Sequence, residues 1–126
     1  MVKFIDSATT IEVSDIAASE KFYREKLGFN AGTFFGEPPT FCIIWRDKVT
    51  VFLDKVRTPH PIPLNQYWAF YIYVDDVNAM YAAVKRLGVT IDRDIEDQDY
   101  GCRDFDLRDP DGHVIGIGQT LGKKAG

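Results

Sequence analysis

One motif is written twice along this chain, and that repeat limits the available folds more than any other feature. Val13-Ser14-Asp15-Ile16-Ala17-Ala18 opens a segment that closes at Leu27-Gly28-Phe29, and Val74-Asp75-Asp76-Val77-Asn78-Ala79 opens another that closes at Leu87-Gly88-Val89. Each segment leaves an alternating apolar strand, passes an acidic N-cap (Asp15, Asp76) and stops at a glycine (Gly28, Gly88), the residue best suited to the turn just past a helix. In the second helix Val77, Met80, Tyr81, Val84 and Leu87 recur at helical spacing and form one apolar stripe. The first helix is less regular, with Ile16, Tyr23 and Leu27 as anchors and Phe22 beside them. Strand-like runs follow each helix, at 30–36, 40–46 and 49–55 and then at 89–95, 102–108 and 113–119. Between the halves, Arg57-Thr58-Pro59-His60-Pro61-Ile62-Pro63-Leu64 reads as a stiff linker without regular structure. The expected class is α+β, as two βαβββ modules over about 6–56 and about 67–120, with the linker at about 57–66 and a disordered tail at about 121–126. Each module lays one helix on one sheet face, which leaves the other faces of the mixed sheets to curl around a cavity.

A length of 126 residues fits a single domain. The net charge of −4 offers no basic stripe for phosphates, which excludes nucleic acid and favours a neutral or cationic partner. Two cysteines, Cys42 and Cys102, are too few for a disulfide framework and point to a reduced, cytoplasmic setting. The run Met1-Val2-Lys3-Phe4-Ile5-Asp6 lacks the apolar core of a signal peptide, and no segment has the length that spans a membrane.

Period-two alternation divides each strand between a helix-packed face and an open one. Ile11 and Val13 belong with the first helix, so Ala8, Thr10 and Glu12 point the other way. Phe70, Ile72 and Val74 take the second helix, leaving Ala69, Tyr71 and Tyr73. A tight turn at Asp47-Lys48 pairs Trp45 with Thr50, Ile43 with Phe52 and Phe41 with Asp54. Cys42, Ile44, Val51 and Leu53 then pack inside, and Phe41, Trp45, Phe52 and Asp54 lie on the open face. Asp109-Pro110-Asp111-Gly112 joins the last two strands. Keeping Phe105, Leu107, Ile115 and Ile117 in the core sends Asp104, Asp106 and Gly116 to the open face. Aromatic walls with a few carboxylates can hold a flat or cationic organic molecule by stacking, cation–π contact and charge pairing. The alternative reading of the same aromatics is ordinary core or dimer packing.

With these residues in place, the sequence resembles the vicinal-oxygen-chelate superfamily of glyoxalases, bleomycin-resistance proteins and extradiol dioxygenases. The resemblance rests on Val13-Ser14-Asp15-Ile16 leading to Phe22-Tyr23 and Leu27-Gly28-Phe29, on Val74-Asp75-Asp76-Val77, and on the run from Arg103 to His113. It implies a homodimer whose cavities form where paired halves meet. It also implies where metal-using members keep their ligands: the start of strand one, late strand four, the start of strand five and strand eight. Those positions here are Ala8, Phe52, Ala69 and Gly116, none of which supplies the imidazole, carboxylate or thiolate a cation needs. No metal and no cofactor is therefore expected.

Among the remaining groups, Glu12 is the best candidate for function, as an acid or base or as a ligand contact. A carboxylate among apolar neighbours on a central strand needs a ligand, a water or a counter-charge. Its plainer reading is a partly solvated strand glutamate. Tyr100 and Arg103 stand before strand seven in a loop suited to cover the cavity, with pairing to a nearby aspartate as the other reading of Arg103. A site for a weakly held Mg²⁺-like ion between Glu12 and Asp54 would have only oxygen ligands. His113 reads as part of the turn, His60 as a solvated linker residue and Cys102 as a plain buried thiol. The leading expectation is a metal-independent protein that binds a small aromatic or cationic compound, such as an antibiotic, through Thr10, Glu12, Phe41, Trp45, Phe52, Asp54, Tyr71, Tyr73, Tyr100, Arg103, Asp104 and Asp106. The alternatives are an enzyme of the same fold, metal-free or with atypical ligands, and a module for protein interaction only. The balance leans against an enzyme.

Overall fold

A computed structural model describes residues 1–58 and 60–122. The chain divides into two compact units, residues 1–62 and 63–126, and each follows the βαβββ order read from the repeat. The first contains β1 (Ala8–Val13), α1 (Ile16–Leu27), β2 (Thr33–Phe35), β3 (Phe41–Arg46) and β4 (Val49–Lys55). The second contains β5 (Phe70–Tyr73), α2 (Val77–Arg86), β6 (Ile91–Asp97), β7 (Cys102–Arg108) and β8 (Val114–Thr120). The sheets are β1-β4-β3-β2 and β5-β8-β7-β6, the same order in each unit. The first strand of each runs parallel to the last, and the other pairs are antiparallel. The architecture is thus α+β with two mixed four-stranded sheets.

Both helices start where a short acidic side chain satisfies the orphan amides of the first turn. Asp15 accepts from the backbone N–H of Ala18 at 3.0 Å, and Asp76 accepts from that of Ala79 at 3.0 Å. Gly28 adopts φ 74° and donates its N–H to the Tyr23 carbonyl, which closes α1. Arg46 Nη1 donates to the Leu27 carbonyl at 2.8 Å and satisfies another free helix end. In α2 the left-handed residue is Gly88, at φ 79°. Leu87 sits at the cap, where the chain leaves the helix, and is exposed. Val89 is buried in its place, so the stripe expected to end at Leu87 ends beyond the glycine.

The core of the first unit is Ile11, Val13, Ile16, Tyr23, Leu27, Cys42, Ile44, Val51 and Leu53, all buried. That of the second is Val77, Val84, Phe105, Leu107, Ile115 and Ile117. Trp45 pairs with Thr50, Ile43 with Phe52 and Phe41 with Asp54 around the Asp47-Lys48 turn, as the alternation requires. Asp47 takes φ 52°, a conformation that a short polar side chain tolerates. β2 is shorter than expected, and β6 begins and ends two residues later than the 89–95 run. The described residues between β4 and β5 form neither helix nor strand. Of the tail expected to be disordered, residues 123–126 lie outside the described residues.

One buried charge was not foreseen. Glu20 of α1 is 5% exposed, accepts from Arg24 Nε at 3.0 Å and from the Gly32 N–H at 2.9 Å, and so ties the helix to the chain entering β2. Burial pushes its carboxyl up, but these partners outweigh that and hold it below the ordinary value.

Candidate functional site

On the face of the first sheet opposite α1, the pairings set side chains in three rows. Ala8, Thr50 and Trp45 make one; Thr10, Phe52 and Ile43 the next; Glu12, Asp54 and Phe41 the third. The Phe41 and Phe52 rings lie 5.4 Å apart, centroid to centroid, and Phe35 of β2 extends the aromatic surface at 6.0 Å from Phe41. Trp45 is exposed, and Phe41, Ile43 and Phe52 are half-buried. Six of the residues singled out in the sequence therefore share one face: Thr10, Glu12, Phe41, Trp45, Phe52 and Asp54.

The carboxylates at the end of this face are met by the chain that follows β4. Arg57 Nη2 donates to Asp54 Oδ1 at 3.1 Å. His60 Nε2 lies 3.3 Å from both oxygens of Glu12, and its Nδ1 lies 2.6 Å from the Thr58 carbonyl. His60 is thus a partner of Glu12: it is exposed in the segment after β4, as its reading as a solvated linker residue expects, and it also reaches the carboxylate, which that reading did not include. The contact was invisible locally because 47 residues separate the two partners in the chain, a separation that alternation and spacing do not bridge.

The corresponding face of the second unit is built differently. Asp104 is fully buried. Its Oδ2 accepts from the Tyr100 hydroxyl at 2.6 Å and from the Tyr71 hydroxyl at 2.8 Å. Its Oδ1 accepts from Arg93 Nη2 at 2.7 Å and from Gln98 Nε2 at 3.2 Å. Asp106 accepts from Trp68 Nε1 at 2.7 Å and from Arg93 Nη2 and Nε at 3.0 and 3.1 Å. A carboxylate offers about four acceptor positions, so Asp104 is close to saturated. Burial pushes the Asp104 carboxyl up, but hydrogen bonds from Tyr100, Arg93 and Tyr71 outweigh it and hold the group below the ordinary aspartate value. Tyr71 and Tyr100 move up, first through desolvation and then through donation to Asp104. The surroundings thus hold the aspartate charged and the two phenols neutral.

Arg93 arrives on this face through an irregularity. Ile91 opposes Leu107, yet Arg93, two residues on, opposes Asp106, only one residue away in β7. The extra residue is a bulge, which turns Arg93 from the helix side to the open side. Its Nη1 is buried without a hydrogen bond, 3.6 Å from a Glu96 carboxylate oxygen. Trp68, just before β5, packs edge-on against Tyr71 at 4.7 Å, and Tyr73 lies 5.0 Å from Tyr71 with most of its surface exposed. Sequence reasoning missed Arg93 and Trp68 because strand alternation says nothing of a bulge or of a coil residue.

Arg103 is not in a loop before β7. It lies within β7 on the helix side, where it pairs with Asp97 at 2.6 Å and reaches Asn78 of α2 at 3.4 Å. Its placement is the aspartate-paired alternative, away from Asp104 and Asp106. His113 is buried and its backbone N–H donates to Asp109 Oδ1, which also accepts from Asp111, so it belongs to the turn. Cys42 and Cys102 are buried free thiols.

The family positions for a metal do not fit one. Ala8 and Ala69 carry only methyl groups, Phe52 carries a ring, and at Gly116 the space for a side chain is taken. A Cβ there would lie 2.6 Å from Trp68 Nε1 and 2.6 Å from Tyr71 Cδ2. Among the described residues, no group of three or more His, Cys, Asp and Glu side chains is placed to hold a metal ion. No described helix is long and apolar enough to cross a membrane.

A family model for the Glyoxalase/Bleomycin resistance protein/Dioxygenase superfamily matches residues 5–117. No curated protein matches the chain. Among solved structures, a bleomycin-binding protein from bleomycin-producing Streptomyces verticillus, complexed with copper(II)-bleomycin, is 22% identical over 98% of this chain and 100% of its own, with a TM-score of 0.71. A glyoxalase-related enzyme from Clostridium phytofermentans is 17% identical over 95% of this chain and 98% of its own, with a TM-score of 0.77. A superfamily member from Sphaerobacter thermophilus is 21% identical over 94% and 98%, with a TM-score of 0.74. At these identities the likeness is one of fold.

Proposed function

The chain belongs to the glyoxalase/bleomycin resistance/dioxygenase superfamily, and from that premise we propose that it is a metal-independent protein that binds and sequesters a small aromatic or cationic compound, such as an antibiotic. The observation that carries this reading is the face of the first unit, where Phe41, Phe52 and Trp45 lie in register with Glu12 and Asp54. Rings supply stacking and cation–π attraction, and the two carboxylates at one end supply charge. The surfaces of the second unit that suit a ligand are the rings of Tyr73 and Tyr100, because Asp104 and Asp106 already hold their own donors. Sequestration needs affinity and abundance alone, and so asks for no catalytic constellation.

An enzymatic role for Glu12 has less support. Its imidazole neighbour faces an acceptor at each ring nitrogen, which leaves neither turned toward a substrate. The reading extends to both units acting as a single domain within a homodimer in the cytoplasm. The buried free thiols Cys42 and Cys102 suit a reducing compartment.

The test has two arms on the purified chain. Incubation with Zn²⁺, Ni²⁺, Fe²⁺, Mn²⁺ or Mg²⁺ and desalting should leave no stoichiometric metal. Thermal unfolding with a panel of aromatic cations should show concentration-dependent stabilisation by some of them. Retention of about one metal per chain would overturn metal independence. A flat response to the whole panel would instead favour a protein-interaction module.

A further inference from the structure

His60 stands where a cationic ligand of the first unit would have to pair, and its two ring nitrogens face oxygen acceptors. Nε2 is 3.3 Å from the Glu12 carboxylate and Nδ1 is 2.6 Å from the Thr58 carbonyl. Only the doubly protonated imidazolium donates from both nitrogens; a neutral ring turns one lone pair toward an oxygen. The contact as built therefore selects the charged ring. We propose that His60 is a proton-operated latch on this face: as imidazolium it engages Glu12, and on losing a proton to solvent it disengages and yields that carboxylate to a cationic ligand.

This inference rests on the ligand-binding reading above and adds its regulation. The groups around the latch favour such a role. Glu12 comes from β1, and Asp54 is its register partner from β4. Arg57, the nearest cation of the same segment, is turned to Asp54 at 3.1 Å. Phe41, the third member of the row, brings no charge from β3. The His60 and Glu12 side chains are 40% and 35% exposed, so protons and solvent reach the pair.

Hydrogen bonding to Glu12, and then to Thr58, raises the His60 pKa above the ordinary 6.5. A group whose folded pKa is raised contributes fully below its unfolded value, and the contribution is lost as pH rises through the folded value. The latch is closed in mildly acidic solution and opens as pH rises through the raised folded value.

Two experiments on the full chain decide the matter. NMR pH titration of the imidazole signals should give a His60 midpoint above the ordinary value, falling toward it in Glu12→Gln while His113 is unmoved. Equal His60 midpoints in the two chains would overturn the latch. Binding of N-methylacridinium, whose charge is fixed, should tighten severalfold between about pH 5.5 and about pH 8, the window of imidazole titration. In His60→Gln that dependence should flatten at the tighter level. Binding that is pH-independent in the unaltered chain and equal in His60→Gln overturns the latch and leaves the ligand reading standing. A probe that binds neither chain at any pH overturns both the ligand reading and the gating built on it.

Discussion

Replacing Asp104 with alanine removes the acceptor of four donors at once: the Tyr71 and Tyr100 hydroxyls, Arg93 Nη2 and Gln98 Nε2. A hydrogen bond to a charged group is worth roughly 1.5–3 kcal/mol, but the four cannot be summed. Arg93 keeps Asp106, and Tyr100 is exposed enough to turn to water. Tyr71 is half-buried and packed under Trp68, so its hydroxyl bears most of the loss. Breaking one side of a buried charge pair costs about 3–5 kcal/mol, and the retained Asp106 places this variant near the lower end. With a urea slope of about 1–3 kcal/mol per molar for a chain of this size, a loss of about 3 kcal/mol moves the midpoint down by about 1–3 M. Tyr71→Phe should cost clearly less in the Asp104→Ala background than alone, with a coupling of about 1 kcal/mol or more. Because the Asp104 pKa is depressed, its contribution is present above the ordinary 3.8 and is lost as pH falls through the lower folded value. The gap between the two proteins should therefore narrow in acid. A midpoint shift under about 0.3 M, or no coupling with Tyr71, would refute the view that this carboxylate organises the face.

Three further outcomes follow from the geometry. Gly118→Ala places a methyl group onto the Tyr71 hydroxyl and 2.9 Å from Asp104 Cβ, and should lower stability by about 1–3 kcal/mol in thermal unfolding. Asp76→Ala removes the N-cap of α2 and should cost about 0.5–2 kcal/mol in the same assay, with the sheet spectrum unchanged. Burial, with the Glu20 charge, pushes the Cys42 thiol up to about 11. Mass spectrometry after iodoacetamide near pH 8 should find Cys42 unmodified in the folded chain and alkylated in urea.

What could be read beforehand was whatever a local rule determines. The caps at Asp15 and Asp76, the left-handed glycines and the Asp47-Lys48 and Asp109–Gly112 turns are short-range devices, and they locate both helices and the β3–β4 register. With that register known, alternation alone assigns Phe41, Phe52 and Asp54 to one face. Three of the features that escaped did so for distinct reasons. The Glu12–His60 contact joins a strand to a linker far along the chain, so no periodicity reports it. Arg93 changes face at a bulge, which breaks the period-two rule on which the assignment depends. Glu20 looks like a solvent-facing helix residue, and its burial is made tolerable by Arg24 one turn on together with the Gly32 amide, which comes from outside the helix.

Gly116 has a consequence for how this chain can change. The space in front of it is occupied by the indole of Trp68 and the ring of Tyr71, themselves tethered to Asp106 and Asp104. Substituting glutamate at that one position would not simply add a carboxylate, because the new side chain would have to evict two rings whose hydrogen bonds hold the neighbouring aspartates. A larger residue at 116 would need coordinated changes at 68 and 71, and each single step would be unfavourable by itself. The packing thus couples three positions, so that residue 116 can grow only in step with smaller side chains at 68 and 71.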